Sequence, residues 1–261
     1  MNEFRAAFSP NKAVSRRVMI IIIAAQGVLA FLYWAFLAPR IFPTPTEVIS
    51  SFGKLWTVDG LGYHLIQSFT LNLWANGLTA IISLGLAYLT VLPVMRPVVL
   101  MVSKLRFLGL VGLSFIFTLM VASAWLKIAL LVFGMTVFFV VSMADEVASI
   151  SREQFDYART LRMGEWRVVW EVVVLGKMDA AFDVLRQNAA IGWMMLTMVE
   201  GISRAEGGIG VLLLNQNKHM HLAEVFAINL CIVTVALVQD YAIGVAKNLA
   251  CPHAAINLER K

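Results

Sequence analysis

Long apolar stretches separated by short polar segments follow one another along the whole chain. Six such stretches lie at about residues 18–38, 69–92, 107–126, 128–147, 186–203 and 222–246. A helix needs roughly 20 mainly apolar residues to cross the hydrocarbon core of a bilayer. The pattern therefore predicts an all-α membrane protein with about six transmembrane helices in one domain, residues 1–261. The third and fourth stretches meet at a short turn near Lys127, which leaves a count of five open.

The amino-acid composition supports the same fold class. Hydrophobic residues make up 60% of the chain and charged residues 14%, whereas a soluble domain has roughly 45–50% and 25%. The net charge of +5 raises the question of nucleic-acid binding. The basic residues, however, lie between apolar stretches and form no continuous basic segment. We therefore expect no nucleic-acid partner.

Lysine and arginine residues are distributed unevenly between the segments that connect the six stretches. With the N-terminus placed inside, 16 of the 21 fall on the cytoplasmic side and 5 on the other side. Cytoplasmic loops of membrane proteins carry an excess of Lys and Arg. The distribution predicts a multi-pass protein of the cell inner (plasma) membrane with both termini in the cytoplasm.

The longest predicted cytoplasmic connection, about residues 148–185, is too polar to cross a membrane but has a helical pattern. Ser151 and Gln154 form a capping-box pair, which predicts a helix start. Gly164 then ends this helix, as a glycine just past a helix end often does, and a second short helix follows. We expect a helix, a turn and a helix on the cytoplasmic face, at about residues 151–175.

Apolar residues recur at helical spacing in both short helices. Phe155, Ala158 and Leu161 share one face of the first helix. The apolar positions of the second helix are Trp166, Val169, Val172 and Val173. Such a ridge either rests on lipid headgroups or docks into a groove on a soluble partner.

Three matches give this segment a family resemblance: Asp156-Tyr157-Ala158, Arg162, and Val172 followed by Val174-Leu175. Their spacing resembles the cytoplasmic signature of permease subunits in binding-protein-dependent ABC importers. That signature reads Glu-Ala-Ala, three residues, Gly, nine residues, Ile, one residue, Leu-Pro. The stretch 157–161, with Trp166, is similar to the branch that handles nitrate, taurine and alkanesulfonates.

The resemblance extends over roughly residues 40–250. The run 42–48 is similar to the entry segment after the first span of that branch. In this run Thr44 suits a helix cap, Pro45 the first helical position, and Glu47 completes a capping box. Later positions that match are Leu185-Arg186, Trp193, Glu200, Gly208-Ile209-Gly210 and Asp240.

The chain also departs from the family pattern. Arg162 replaces the signature glycine, with Gly164 two positions later, and Leu175 replaces the signature proline. Residues 98–126 contain no proline, although the third span of the family is usually proline-rich. The chain resembles a divergent member of the family. Such a member pairs either with a second copy of itself or with a more typical permease subunit.

The resemblance implies a membrane-spanning permease subunit of an ATP-driven importer. Such a subunit forms the pathway for a small solute, here an anion such as nitrate, a sulfonate or taurine. The implied partners are cytoplasmic ATPase subunits, a second permease subunit in a homodimer or heterodimer, and a periplasmic or lipid-anchored substrate-binding protein. The chain has no G-x-x-x-x-G-K-[ST] phosphate loop. We expect it to be no enzyme and to hold no cofactor, since ATP would be bound by the partner subunits.

Two sets of candidate site residues follow. The resemblance assigns ATPase coupling to Glu153, Asp156, Tyr157, Ala158, Arg159, Leu161, Gly164 and Trp166, with apolar contact also from Phe155. The pathway candidates are Asn72, Asn76, Gln187, Asn188 and Glu200, which in the alternative join helices by hydrogen bonds. We assign Asp240 to such a contact between helices. No catalytic residue and no metal site are expected, because no cluster of suitable ligands is evident.

Other functions stay open at this stage. One is a divergent non-transporting or regulatory subunit that pairs with another permease, which the altered signature favours. Another is an ion-driven secondary transporter, which often has internal repeats and broken helices. The glycines at 207, 208 and 210 suggest a phosphate-binding fingerprint, but no strand precedes them. We expect them to form a turn that leads into a short helix outside the membrane.

Overall fold

The computed structural model describes residues 15–37, 39, 41–203 and 207–252, and all regular secondary structure in these ranges is helical. The helices of these residues are α1 (Arg16–Leu32), α2 (Pro45–Thr57), α3 (Leu61–Tyr88), α4 (Arg96–Lys104), α5 (Leu110–Met120), α6 (Ser123–Ala148), α7 (Arg152–Thr160), α8 (Glu165–Val168), α9 (Met178–Ile202), α10 (Ile209–Lys218) and α11 (Leu222–Ala250). π-Helical turns extend α1 over Tyr33–Leu37 and α8 over Val169–Leu175.

Four helical segments of the described residues are long and apolar enough to cross a membrane. They are Arg17–Leu37, Leu61–Val91, Trp125–Ala148 and Leu222–Ala250. These segments confirm apolar helices at the first, second, fourth and sixth predicted spans. A fifth is added only if Pro93–Phe107 and Leu110–Met120, which meet at 112°, are taken as one broken span. Length and composition therefore support four or five of the about six predicted spans.

The third predicted span, residues 107–126, is wrong as a single straight helix. Its helical part, α5, has 11 residues, about 17 Å at 1.5 Å per residue, which is roughly half the thickness of a bilayer core. Leu108 and Gly109 have extended backbones that separate α5 from the preceding helix. The sequence shows an unbroken apolar run here, but the chain turns within it.

The predicted turn near Lys127 lies elsewhere. Val121 and Ala122 have the extended backbone of the turn, and Lys127 lies inside α6 with 4% of its surface exposed. Its Nζ donates a hydrogen bond of 2.8 Å to the carbonyl oxygen of Gly207. A buried ammonium group requires oxygen partners of this kind, and this one comes from a segment 80 residues further along the chain.

The fifth predicted span, residues 186–203, falls within α9, the central helix of the bundle. α9 contacts α3, α6, α10 and α11, and it buries Trp193, Leu196 and Val199. It does not count among the strongly apolar helices, because polar residues from Arg186 to Asn188 and at Glu200 interrupt it. A helix enclosed by other helices needs no continuous apolar surface toward lipid.

Two apolar clusters define two ends of the bundle. One joins α2, α3, α6, α9, α10 and α11 around buried residues such as Leu61, Met135 and Ile209; we call this side the α10 end. The other joins the last turns of α3 and α6 to the first turns of α9, around Phe139 and Val184. The short helices α7 and α8 pack against this second cluster, and we call this side the α7–α8 end.

The predicted capping box at the start of α2 is confirmed. Thr44 Oγ1 accepts a hydrogen bond from the backbone N–H of Glu47 (3.4 Å), and Glu47 Oε2 accepts one from the N–H of Thr44 (2.8 Å). The start of α7 after Ser151 is also confirmed, but the side chain of Ser151 makes no capping bond. The N–H of Gln154 bonds to the carbonyl oxygen of Ser151 instead.

Asp240 forms the predicted polar contact between helices. Its two carboxylate oxygens accept hydrogen bonds from Arg186 Nε at 2.9 Å and from Arg186 Nη2 at 2.5 Å. This bidentate pair connects α9 to α11. Both side chains remain partly exposed, at 38% and 43%, so we expect only a modest contribution to stability.

Exchanging the two charges tests this contact. Arg186→Asp and Asp240→Arg should each lower the free energy of unfolding by roughly 1 kcal/mol, because each places like charges in contact. The double exchange should recover most of that loss. Thermal unfolding in detergent, followed by circular dichroism at helical wavelengths, measures the effect. If the double variant loses as much free energy of unfolding as the two single variants lose in sum, the pairing is contradicted.

Candidate functional site

The helices α7 and α8 are fixed to the bundle by apolar side chains. Phe155, Val169 and Val173 pack into the cluster formed by the ends of α3, α6 and α9. Lys177, just after the helix pair, donates hydrogen bonds to Glu146 Oε2 (3.0 Å) and to the hydroxyl of Ser149 (2.8 Å) at the end of α6. Movement of the pair would therefore be transmitted to three long helices.

The same helix pair exposes large side chains. Tyr157 is 69% exposed, Leu161 54% and Trp166 71%. We call these three residues the docking triad. Exposed apolar groups in a polar surrounding often mark an interaction surface, and Trp and Tyr are the residues that contribute most to interface energies. Three of the predicted coupling residues are thus exposed on the helix pair, and two of them, Tyr157 and Leu161, line the same cleft.

An arginine connects the two helices that carry the triad. Arg159 donates from Nε and Nη2 to the two carboxylate oxygens of Glu165, each at 3.1 Å, and from Nη1 to Asp156 Oδ1 at 3.2 Å. These hydrogen bonds, together with the positive charge, hold the pKa of the Glu165 carboxyl below its usual range. The contact is present while Glu165 is ionised and is lost as the pH falls through that lowered pKa.

Glu165 is absent from the residues that the sequence pattern selects. It follows Gly164 directly and lies six positions after Arg159, a separation at which no single helix brings two side chains together. Only the turn between α7 and α8 places the two groups in contact. The sequence shows only an acidic residue at the start of a predicted helix. Acidic residues are common at that position, so this signal does not single out Glu165.

The remaining coupling candidates have different surroundings. Glu153 and Asp156 are exposed on α7. Ala158 is only 4% exposed, and Phe155 packs against the bundle. These last two residues hold α7 in place, so the expectation of a single ridge formed by Phe155, Ala158 and Leu161 is wrong. Their spacing was read as a partner-facing ridge, but the bundle itself covers Phe155 and Ala158.

Reversal of the chain between α7 and α8 occurs at Arg162. This residue has φ 57°, in the left-handed region where a side chain costs roughly 1 kcal/mol. Gly164 was expected to end the helix, but it has φ −67° and is the N-cap of α8. Arg162, at the position of the signature glycine, thus has a left-handed backbone, which glycine adopts without the cost that a side chain adds.

Arg162→Gly should therefore raise the free energy of unfolding. We expect it to be about 1 kcal/mol more stable than Arg162→Ala, since both lose the charge but only glycine relieves the left-handed backbone. Thermal unfolding in detergent measures the difference. Gly164→Ala is the control, with little expected effect, because an added Cβ there meets no atom within 4 Å. Equal stability of the Gly and Ala variants would contradict the strain at this position.

A cleft of about 700 Å³ opens between the helix pair and the body of the protein. Tyr157 and Leu161 line one side of it, and the ends of α6 and α9 line the other. Acidic residues are numerous around it: Glu146, Glu171, Asp179 and Asp183. Lys177 and Lys247 form ion pairs with Glu146 and Asp183. The surface next to the docking triad is therefore rich in carboxylates.

Four of the five pathway candidates lie inside the bundle. Asn72 is 0% exposed, Asn76 5%, Asn188 2% and Glu200 1%. Gln187 is exposed on α9, so the structure does not bring it together with the other four. Adjacent helical residues point in directions about 100° apart, and the burial of Asn188 turns Gln187 outward.

A buried amide network holds the middle of the bundle. Gln239 Oε1 accepts hydrogen bonds from Asn72 Nδ2 (3.1 Å) and Trp193 Nε1 (2.8 Å), and Asn72 Oδ1 accepts one from Asn76 Nδ2 (3.0 Å). The network joins α3, α9 and α11. Gln239 was missed from the sequence, although an amide within an apolar stretch is the kind of signal that selected Asn72.

Glu200 lies at the α10 end in a second network, which we call the Glu200 clamp (Glu200, Ser68, His64 and residues 208–210). Glu200 Oε1 accepts a hydrogen bond from Ser68 Oγ at 2.6 Å, and Oε2 accepts one from the N–H of Gly210 at 2.8 Å. The N–H of Ile209 donates to Ser68 Oγ (2.8 Å), and that of Gly208 donates to His64 Nδ1 (3.1 Å). Three consecutive backbone N–H groups are thus held by α3 and α9.

The glycines of this segment are needed for its close approach to Glu200. Gly208 has φ 114°, and a Cβ there would overlap the carboxyl group of Glu200. A Cβ on Gly210 would overlap the carbonyl oxygen of Thr197. The predicted turn into a short helix is confirmed, since α10 begins at Ile209. In a phosphate-binding fingerprint, backbone N–H groups of such glycines bind a phosphate. Here the N–H of Gly210 binds the carboxylate of Glu200 instead.

No protein-family model matches the chain, and no curated protein matches it. The class of this protein therefore rests on its fold and on the geometry of its sites. It is an all-helical chain in its described residues, with four or five helices long and apolar enough to cross a membrane. Its function must be argued from its sites, since a fold alone does not imply one.

Proposed function

We propose that this chain is the membrane-spanning permease subunit of an ATP-driven importer, and that α7 and α8 dock onto its ATPase subunit. The observation that carries the proposal is the exposed docking triad on a helix pair packed against three long helices. A coupling element needs both an accessible apolar surface and a firm connection to the helices it moves. Both properties are present in the same 25-residue region that resembles the family signature.

Burial in a protein groove explains this surface better than contact with lipid headgroups. Helices that rest on a membrane are rich in Lys and Arg on their polar face, because the inner leaflet is anionic. Residues 151–168 carry four arginines and three acids, and the adjoining cleft is acidic. A partner surface with an apolar pocket and basic residues matches this combination.

The conformation of Arg162 favours a working coupling element over a degenerate one. A regulatory subunit that has lost coupling would be free to lose the turn between the two helices. Here the turn is kept, with a left-handed residue at the position of the signature glycine. Arg159 also connects α7 to α8 across this turn. These features support a retained ATPase contact despite the altered signature.

The remaining parts of the proposal rest on the resemblance and on the charge distribution. With the six crossings that the sequence predicts, 16 of the 21 basic residues lie on the side of α7 and α8, so we place the α7–α8 end in the cytoplasm and the α10 end outside, in the inner membrane. The solute that the resemblance favours is a small anion such as nitrate, a sulfonate or taurine. A second permease subunit and a substrate-binding protein complete the proposed transporter.

Purification of the full-length chain from its native membranes in mild detergent tests the proposal. We expect a protein with a phosphate loop to co-purify and the complex to hydrolyse ATP, whereas the chain alone should not. Reconstituted chain without ATP should transport nothing. Solute uptake by the isolated chain, driven by an ion gradient, would overturn the proposal in favour of a secondary transporter.

A further inference from the structure

A line of charged residues follows the contact between α9 and α11. Near the α7–α8 end, Asp183 Oδ2 accepts a hydrogen bond of 2.5 Å from Lys247 Nζ. Further along both helices, Arg186 forms its bidentate pair with Asp240. We call these four residues the charged seam. The side chains of Asp183, Arg186 and Asp240 are 55%, 38% and 43% exposed, so the seam lies on the surface of the bundle.

The pair of Arg186 and Asp240 lies deep within the helices that carry it. α11 has 29 residues, Leu222–Ala250, and roughly 20 suffice to cross a bilayer core. Every stretch of that length in α11 contains Asp240, and every such stretch in α9 contains Arg186. Charged groups at this depth almost always face a bundle interior or a water-filled cavity, because hydrocarbon does not solvate them. The exposed pair therefore indicates that this face of the chain meets water.

The guanidinium of Arg186 has hydrogen-bond donors that Asp240 does not use. It carries five N–H groups, and Asp240 engages one on Nε and one on Nη2. Within the described residues, the other three, two on Nη1 and one on Nη2, have no partner. Gly244 of α11 lies beside them, since a Cβ added there would be 3.7 Å from Cζ and 3.9 Å from Nη1 of Arg186. A larger side chain at this position would cover the donors that glycine leaves open.

The remaining donors of Arg186 suit one class of ligand. The Nη1–Nη2 edge of a guanidinium presents two parallel N–H groups, which match two oxygens of a carboxylate, nitrate or sulfonate group. Asp240 already neutralises the positive charge of Arg186. One added negative charge is therefore held mainly by hydrogen bonds and can be released, whereas a second is repelled by Asp240. The arrangement favours a monovalent oxoanion over a divalent one such as sulfate.

We propose that Arg186 binds a small monovalent oxoanion on the water-facing surface of α9 and α11. Asp240 is a positioning residue, because it holds the guanidinium in place and limits the negative charge that the site accepts. The inference rests on the proposed transport function and deepens it, since it assigns a residue to the charge of the solute. The site is open on the surface of this chain, toward a pathway that a second permease subunit would complete.

Cysteine labelling tests both the water and the anion at this site. In a background with Cys231→Ser and Cys251→Ala, Gly244→Cys places a thiol beside Arg186. Val245→Cys is the matched control at the same depth, since adjacent helical residues point about 100° apart. The purified full-length chain, with any subunits that co-purify, is labelled in lipid nanodiscs with 2-sulfonatoethyl methanethiosulfonate, which reacts with a thiolate in water.

We expect Gly244→Cys to react at least roughly tenfold faster than Val245→Cys, because a guanidinium favours the thiolate whereas a thiol surrounded by lipid stays protonated. Nitrate should slow the labelling of Gly244→Cys at least roughly threefold as its concentration passes the Kd. Sulfate at equal ionic strength should not. Slow labelling at both positions would overturn the water-facing site, and labelling unchanged by nitrate would overturn the anion site.

Two variants assign the protection to the pair. In Arg186→Gln the protection by nitrate should disappear, and protection that persists would overturn the proposal. In Asp240→Asn half-protection should need less nitrate, and sulfate should protect as well, because the repelling charge is gone. An unchanged preference for nitrate over sulfate in this variant would overturn the role assigned to Asp240.

Thermal unfolding provides a second measurement that needs no cysteine, so the test survives if Gly244→Cys fails to fold. Tm is compared in nitrate and in sulfate at equal ionic strength, and the difference between the two salts is compared between variants, which cancels general salt effects. Relative to Arg186→Gln, the difference should favour nitrate by roughly 3–6 °C in the unaltered chain at ten times the Kd. Lys54→Gln, which breaks an ion pair at the opposite end of α11, should behave as the unaltered chain. Equal differences in all three proteins would overturn the proposal.

Neither measurement requires ATP, so the anion site and the proposed function can fail separately. A chain that binds nitrate at Arg186 but co-purifies with no ATPase supports the site and overturns the proposed importer. An ATP-hydrolysing complex in which nitrate changes neither labelling nor Tm supports the importer and overturns the site.

Discussion

Trp166→Ala and Tyr157→Ala are expected to separate this chain from the ATPase subunit that we propose as its partner. Both side chains are more than two-thirds exposed, and an aromatic anchor that fills a pocket commonly contributes 2 kcal/mol or more to binding. A loss of about 2 kcal/mol corresponds to a roughly 30-fold weaker affinity. The double variant should lose ATP-driven transport while its membrane level and thermal stability stay the same, because neither side chain supports the core.

Titration of the purified chain with the ATPase subunit that co-purifies with it measures this loss directly. Trp125→Ala is the matched control, since Trp125 is similarly exposed, at 65%, but lies at the start of α6 near the opposite end. Arg159→Ala should weaken the affinity less, because it removes exposed ion pairs, which contribute little. An affinity unchanged in the double variant would show that the docking triad is not the ATPase contact.

Glu200→Ala is expected to be among the most destabilising single changes in the chain. The carboxylate is 1% exposed and accepts hydrogen bonds from Ser68 and from the N–H of Gly210. Its removal leaves two buried donors without an acceptor, each at a cost of about 1–3 kcal/mol. A protein of this size loses roughly 2–4 °C in Tm per kcal/mol, so a fall of several degrees should follow.

Two further variants separate the hydrogen bonds of the Glu200 clamp from its charge. Glu200→Gln should be milder than Glu200→Ala, because its oxygen can accept from Gly210 and its amide can donate to Ser68. Gly208→Ala should be severe, since its φ of 114° is strained for alanine and an added Cβ would overlap the carboxyl group of Glu200. Thermal unfolding in detergent compares them with Glu153→Ala on the exposed face of α7, which should have almost no effect. A Glu200→Ala protein as stable as this control would contradict the clamp.

Local patterns in the sequence predicted the elements that depend only on nearby residues. Four apolar stretches became helices that could cross a membrane, because the length and apolarity of a span are properties of one segment. The capping box at Thr44 was correct for the same reason. The helix–turn–helix at residues 151–175 and the turn before α10 also follow from local spacing.

The incorrect expectations involve partners that are distant in the sequence. Lys127 was placed in a turn because a lone lysine between apolar stretches suggests a loop, yet its partner at Gly207 holds it inside α6. Gln187 and Asn188 both carry side-chain amides and are adjacent in the sequence, but only Asn188 is buried. The break in residues 107–126 is likewise invisible in hydropathy, which averages over Leu108 and Gly109.

The sequence by itself determined that this chain is helical and strongly apolar, and where its long helices and its amphipathic helix pair lie. Those features arise from composition and from periodicity along a single segment. Tertiary structure alone decided which polar groups meet: Glu200 with the start of α10, Arg159 with Glu165, and Asn72 with Gln239. It also decided which faces of α7 and α3 remain exposed. The physical reason is that hydrogen bonds and burial depend on neighbours from other helices, which no local pattern records.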